Sequence, residues 1–257
     1  MIDVHAHICD DALLPFADKI VSDMASDGLS AIIDSAYCPR SAKIALENAK
    51  KYDRVFCTLG VHPEEYIKYS SETELEFTQI YRAEKKVVAI GEIGLDYHYP
   101  ELPKDKQWEV FERQLTLAGS LNAPVVLHVR DAIGDAYSIL RNHENDLKGG
   151  VLLHCYSGSK EMVKQFDRFD CYYSFGGAVT FKNATEKPDV IRAISYDRIL
   201  LETDCPYMTP VPFRGKTNFP AYVGLTCKKI AEILDKTFED VDQTTEQNAK
   251  RLFPRLY

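Results

Sequence analysis

Within its first seven residues the chain reads Ile2-Asp3-Val4-His5-Ala6-His7, two imidazoles two positions apart in a stretch that alternates apolar and polar side chains. A period of two belongs to a β-strand, so His5 and His7 share one face and can reach one metal ion together. The same period puts Ile2, Val4, Ala6 and Ile8 on the other face, against apolar neighbours. An amphipathic surface strand alternates in the same way, but has little reason to use histidine twice. Further along, Glu92, His128, His154 and Asp204 each stand at the end of an apolar run. Singly, each has a plain reading: a histidine hydrogen-bonded at a rim, a carboxylate capping a helix or pairing with a cation. Together, four imidazoles and two carboxylates would be costly to gather without positive charge among them. Two divalent ions about 3.5–4 Å apart supply that charge and leave positions for water and substrate, the arrangement of a metal-dependent hydrolase.

Side chains so far apart in sequence meet only if the elements that carry them converge. Eight short apolar runs alternate with helix-like segments. The expected strands are Ile2 to His7, Ser30 to Asp34, Arg54 to Leu59, Val87 to Ile90 continuing toward Tyr97, Pro124 to Val129, Val151 to Cys155, Cys171 to Phe175 and Ile199 to Thr203. The expected helices are Asp11 to Met24, Ser41 to Lys50, Glu72 to Glu84, a segment carrying Trp108, Phe111, Leu115, Ala118 and Leu121 at helical spacing, Ala132 to His143, Lys160 to Phe169 and Thr185 to Ile194. A Pro- and basic-rich loop, Cys205 to Pro220, precedes two more, Tyr222 to Lys236 and Phe238 to Leu252. Alternation of this kind calls for a parallel sheet covered by helices. Eight units in this length favour a (β/α)8 TIM barrel, class α/β, as a single domain over residues 1–257, whose chemistry belongs at the C-terminal ends of the strands. An open doubly wound sheet is the runner-up, weakened because no Gly-rich nucleotide fingerprint follows the first strand.

Strand parity supports convergence. Val126, His128 and Arg130 share a face, as do Leu152, His154 and Tyr156, then Leu200, Glu202 and Asp204, and Val88, Ile90 and Glu92. Each inward face turns polar only near its C-terminal end. His98 and His143 fall outside this pattern, as loop and helix-surface residues.

The totals bound the partners. A net charge of −8 argues against broad electrostatic wrapping of nucleic acid, though not against a few phosphates held in a local pocket. Seven cysteines, Cys9, Cys38, Cys57, Cys155, Cys171, Cys205 and Cys227, fall in no C-x-x-C pair, which fits free thiols in a reducing cytoplasm. No apolar run approaches the roughly 20 residues of a membrane span. Asp3, His5, His7, Asp10 and Asp11 interrupt any signal-like core.

The motifs Asp3-x-His5-x-His7, Gly60-Val61-His62-Pro63, Gly91-Glu92-Ile93-Gly94-Leu95-Asp96, His128-x-Arg130, His154-Cys155-Tyr156-Ser157-Gly158, Glu202-Thr203-Asp204-Cys205-Pro206-Tyr207 and Arg214-Gly215-Lys216-Thr217-Asn218 run through the whole chain in order. In these the chain resembles the TatD family of metal-dependent deoxyribonucleases, within the wider amidohydrolase-like barrels. Ala6 and Cys205 depart from the pattern without touching a ligand, and no lysine stands where cyclic-amide hydrolases of that superfamily carry a carboxylated one. The resemblance implies one ion on His5, His7, Glu92 and Asp204 and a second on His128 and His154, with Glu92 bridging. It implies a nuclease that runs on Mg²⁺, with Mn²⁺ or Zn²⁺ also suiting the ligand types.

Within that picture a water held by the ions is the nucleophile, and Asp204 orients it and takes its proton. Arg130 could fork onto a phosphate or form a salt bridge at the rim. His62 could contact a phosphate or the leaving group, or be a rim histidine buttressed by Pro63. Arg214 and Lys216 could reach substrate or be solvated, and Tyr156 and Tyr207 could stack on bases, although packing is the plainer role for both. The expected substrate is DNA, at single-stranded or frayed ends. The alternative is another ester or amide on the same ions, such as the ester of an aminoacyl-tRNA.

Overall fold

The eight apolar runs form eight parallel strands that pair in sequence order: β1 (Ile2–Ala6), β2 (Ala31–Asp34), β3 (Val55–Leu59), β4 (Val87–Asp96), β5 (Val125–Arg130), β6 (Val151–Leu153), β7 (Cys171–Phe175) and β8 (Ile199–Leu201). The computed structural model describes residues 1–256; the last position of the expected domain, Tyr257, lies outside them. Just beyond β8, the Asp204 N–H donates to the His5 carbonyl and the His7 N–H donates to the Cys205 carbonyl, each at 2.9 Å, which brings the last strand onto the first and closes the sheet. The helices α1 (Ala17–Asp23), α2 (Pro39–Lys51), α3 (Ser71–Ala83), α4 (Lys104–Leu121), α5 (Ile133–Asn142), α6 (Lys160–Phe166), α7 (Lys187–Ala193), α8 (Val223–Leu234) and α9 (Phe238–Leu252) are distributed around it. The single TIM barrel expected from the alternation is the fold. No helix among the described residues is long and apolar enough to cross a membrane.

Two buried clusters correspond to the two faces of the strands. Ile2, Val4, Ala31, Ile33, Val88, Val126, Leu152 and Leu200 face the barrel interior. Ala6, Ile8, Ile32, Cys57, Leu127, Leu153 and Leu201 face the helices. This corrects the expected parity of β1. Ile2 and Val4 point inward while Ala6 and Ile8 point outward, because the register with β2 shifts between Asp3 and Ala6. A bulge puts two successive side chains on one face, so Val4 fills the interior and His5 follows it at the mouth. β4 corrects the expectation in the same way. Ile90 joins the outer cluster, and a register shift between Ile90 and Ile93 lies where Glu92 turns inward.

The N-terminal end of the barrel is closed from outside the strands. Ala249 and Leu252 of α9, with Phe253 and Leu256 beyond it, complete the interior cluster. Several expected elements are shorter than their patterns. Pro15 sits in a 3-10 turn at Leu14–Phe16, so α1 begins only at Ala17. β6 and β8 stop short of Cys155 and Thr203, and the next turns hold Cys155 and Asp204 at φ 44° and 56°. These left-handed residues take the chain out of the ladder where the site begins.

Candidate metal centre

At the C-terminal mouth the six expected ligands come together, and the two oxygens of Glu92 divide them. Oε2 lies 3.4 Å from His5 Nε2 and 3.7 Å from His7 Nε2. Oε1 lies 2.9 Å from His128 Nδ1 and 3.0 Å from His154 Nε2. Asp204 Oδ1 completes the first group, 3.4 Å from His7 Nε2 and 3.8 Å from His5 Nε2. Convergent metal-holding sets are therefore His5 with Glu92 and His154, and His5 with His7 and Asp204.

Local structure aims these side chains. Ser35, just past β2, serves both histidines of β1: its carbonyl accepts from His7 Nδ1 at 2.7 Å and its hydroxyl meets His5 Nδ1 at 3.1 Å. With Nδ1 engaged, each ring turns Nε2 toward the centre, the usual orienting arrangement for a metal-binding imidazole. Glu92 is pinned through its main chain, whose N–H donates to the Ala36 carbonyl at 2.8 Å. It also needs the small neighbour Gly60, where a Cβ would meet the Gly91 carbonyl carbon at 2.4 Å and Glu92 N at 2.6 Å.

A charge argument favours cations here. Burial opposes ionisation of Glu92, yet His154, His62, His5 and His128 hold its carboxyl well below the usual carboxylate range. Burial also opposes charge on Asp204, and His7, His154 and His5 likewise keep it low. Two ionised carboxylates thus sit among imidazoles, two of whose ring nitrogens, His5 Nε2 and His154 Nδ1, are buried with no hydrogen-bond partner. An unpartnered ring nitrogen beside two carboxylates is a fit for a metal ion and a poor fit for an empty core.

His62 and Arg130 also reach the mouth. His62 Nε2 is 3.6 Å from Glu92 Oε1, and its ring centroid is 4.2 Å from that of His128. Burial, with the neighbouring His128, pushes its pKa down to about 3, so the ring is neutral. Its Nδ1 accepts from the Glu64 N–H at 3.2 Å, which leaves the proton on Nε2, facing inward as a donor. Arg130 is 44% exposed with its guanidinium 4.0 Å from Asp96, so the rim ion pair exists and the fork still faces solvent.

Of the residues weighed as base or phosphate contacts, Tyr156 takes the packing role that was its plainer expectation. Tyr156 is buried, packs edge-on against Tyr173 at 5.0 Å and donates its hydroxyl to the Ser159 carbonyl, so its ring and hydroxyl are both used inside the fold. Arg214 stacks over the Phe181 ring at 3.7 Å in the loop after β8. Conversely Tyr207, for which packing was the plainer expectation, is 55% exposed beside His7. His98 and His143 lie outside the centre, as expected: His98 is 3.7 Å from Asp131, and His143, capping α5, pairs with Asp146 at 2.9 Å.

Two carboxylates escaped the sequence reading as participants. Asp96 Oδ2 is 2.8 Å from His128 Nε2, and with His62 the pair forms a third convergent set. Glu202 stands behind His154, its Oε2 3.6 Å from Nδ1, while Oε1 accepts from the Cys155 N–H at 2.7 Å. A signal existed for both, since each ends an apolar strand. Only spatial adjacency shows which imidazole each supports.

The profile of a family described as TatD related DNase matches residues 2–254. YabD of Bacillus subtilis, an uncharacterized metal-dependent hydrolase, is 39% identical over 253 residues, covering 98% of each chain. YcfH of Escherichia coli, of the same description, is 39% identical over 201 residues, 78% of this chain and 74% of its own. Among solved structures, the TatD homologue YjjV of Escherichia coli superposes with a TM-score of 0.93 at 27% identity, over 99% of this chain and 98% of its own. A TatD family hydrolase from Entamoeba histolytica, at 22% identity and a TM-score of 0.86 over 98% and 97% of the two chains, shares the fold.

Proposed function

We propose that this chain, which belongs to the TatD-related DNase family of metal-dependent hydrolases, is a two-metal phosphodiesterase that shortens DNA from its ends. The observation that carries the reading is the division of Glu92, one oxygen toward His5 and His7 and the other toward His128 and His154. A carboxylate can serve two ions at once, whereas a neutral imidazole offers one lone pair. His5, His7, Asp204 and Glu92 Oε2 would hold one ion, and His128, His154 and Glu92 Oε1 the other. When bound, Mg²⁺, Mn²⁺ or Zn²⁺ supplies Lewis acidity toward a phosphoryl oxygen and makes water more acidic.

The protein's own groups then have distinct tasks. Asp204, held ionised, accepts on Oδ2 the proton of the attacking water. His62 donates from Nε2 to a phosphoryl or leaving-group oxygen. Arg130 forks onto a flanking phosphate from the rim. Seven free thiols, six of them buried, fit a reducing cytoplasm.

The test joins metal analysis to cleavage of end-labelled single-stranded oligonucleotides. Two equivalents of divalent metal per chain and stepwise shortening are expected. Absence of DNA cleavage by fully loaded protein overturns the nuclease reading; if the same protein cleaves an aminoacyl-tRNA ester or an amide, the centre serves that bond instead.

A further inference from the structure

Tyr207 is an aromatic side chain that the fold leaves more than half exposed at the mouth of the centre and nevertheless holds in place. Its N–H donates to the Asp204 carbonyl at 2.9 Å, which ties it to the turn that presents a metal-ligating carboxylate. Buried Asn218 holds the turn from behind, its Nδ2 donating to the Tyr207 carbonyl at 2.6 Å and the Thr203 carbonyl at 2.8 Å. The Tyr207 hydroxyl reaches Asp10 Oδ2 at 3.4 Å. The ring stands 6.2 Å from that of His7, which has Tyr37 at 5.8 Å as a second aromatic neighbour. Strand order places this side of the mouth, at β8 and β1, across the barrel from Arg130 on β5.

An exposed ring with a fixed main chain and a tethered hydroxyl gives up little conformational freedom when a flat partner stacks on it. We propose that Tyr207 is the platform for the nucleobase next to the scissile phosphate, with Arg130 taking a phosphate across the mouth. The inference rests on the phosphodiesterase reading above. Stacking needs a free π-face, so the base must be unpaired, whereas its identity matters little because every base has such a face. Tyr207 thereby selects an unpaired end without selecting a sequence.

The experiment uses metal-loaded protein, Tyr207→Ala and Tyr207→Phe, and single-stranded oligonucleotides carrying at either end, in turn, a natural base, an abasic residue or 2-aminopurine. Tyr207→Ala is expected to raise KM about tenfold or more on the natural oligonucleotide, while Tyr207→Phe restores it and the abasic substrate is equally poor for wild type and Tyr207→Ala. The fluorescence of 2-aminopurine should change on binding wild type and Tyr207→Phe but not Tyr207→Ala. An unchanged KM in Tyr207→Ala, or a fluorescence change that persists in it, overturns the platform while leaving the nuclease reading intact. Ring-dependent 2-aminopurine binding by a wild type that cleaves no DNA sinks the nuclease reading and with it the platform's place beside a scissile phosphate, leaving Tyr207 as a base-binding ring only. Neither binding nor cleavage sinks both.

Discussion

Asp96 and Glu202 stand behind His128 and His154, on the side of each ring turned away from Glu92. An outer carboxylate that is hydrogen-bonded to the ring, as Asp96 is to His128 at 2.8 Å, fixes an imidazole's orientation and raises its basicity, and its loss typically costs 10–100-fold in metal affinity or activity. Asp96→Asn should therefore weaken Mn²⁺ binding to metal-free protein by about that factor; a titration curve matching wild type would rule out the positioning role. Ser35 is the corresponding support on the other side: its main-chain carbonyl meets His7 whatever the side chain, whereas its contact with His5 needs a hydroxyl. The convergence of the six candidate ligands was legible from residue type and strand-end placement, because metal chemistry would demand unusual side chains at the C-terminal mouth. Asp96, Glu202 and Ser35 were not, because an outer contact is defined by which neighbour a side chain touches, and serine or aspartate near a strand end is common. Tyr207 departs from its plainer expectation, and Tyr156 keeps to it, for a similar reason: both are tyrosines just past a strand, and only packing decides which ring is covered.

Strands and helices carry their own tests. At the end of β3, Gly60 lets the chain pass so close to Gly91 and Glu92 that a methyl group would overlap main-chain atoms, which cannot swing aside as a side chain can. Gly60→Ala should destabilise the protein by about 1–3 kcal/mol through overpacking, and should also lower metal occupancy measured on the folded fraction. Full occupancy would show that Glu92 does not need this close approach. At the other end of the barrel, Phe253 after α9 is fully buried in the interior cluster. Phe253→Ala should cost about 3–5 kcal/mol in denaturant unfolding, yet leave kcat unchanged at temperatures where it is folded, because it lies at the end opposite the mouth. The alternation of elements was readable because period-two and helical patterns are long-range regularities. The bulges in β1 and β4 were not, since a bulge is one residue of slippage that leaves composition and hydrophobicity almost untouched. They matter all the same, because they decide that His5 and Glu92 face inward.

Across the whole molecule, ion binding and folding are linked. The centre draws on β1, β4, β5, β6 and the turn after β8, so an ion that binds it binds only the closed barrel. One ion present at 100 times its Kd adds about 2.7 kcal/mol, which for a chain of this size is roughly 5–11 °C in Tm. Chelator should lower Tm by about that amount per ion, and added Mn²⁺ should restore it; a Tm indifferent to both would show that the centre does not bind metal in the folded state. The seam of the barrel carries a further consequence. Asp3 and Thr203, 200 positions apart, meet there through a 2.6 Å hydrogen bond, and the main chains of His5 and Asp204 are joined beside them. During synthesis on the ribosome the earliest ligands must wait for the latest. A nascent chain that has made His5, His7, Glu92, His128 and His154 still lacks its final carboxylate and the bonds that bring the first strand home. Assembly of the complete candidate centre thus waits until Asp204 and the bonds beside it have been made, and fragments that stop short of them are denied the full set of candidate ligands.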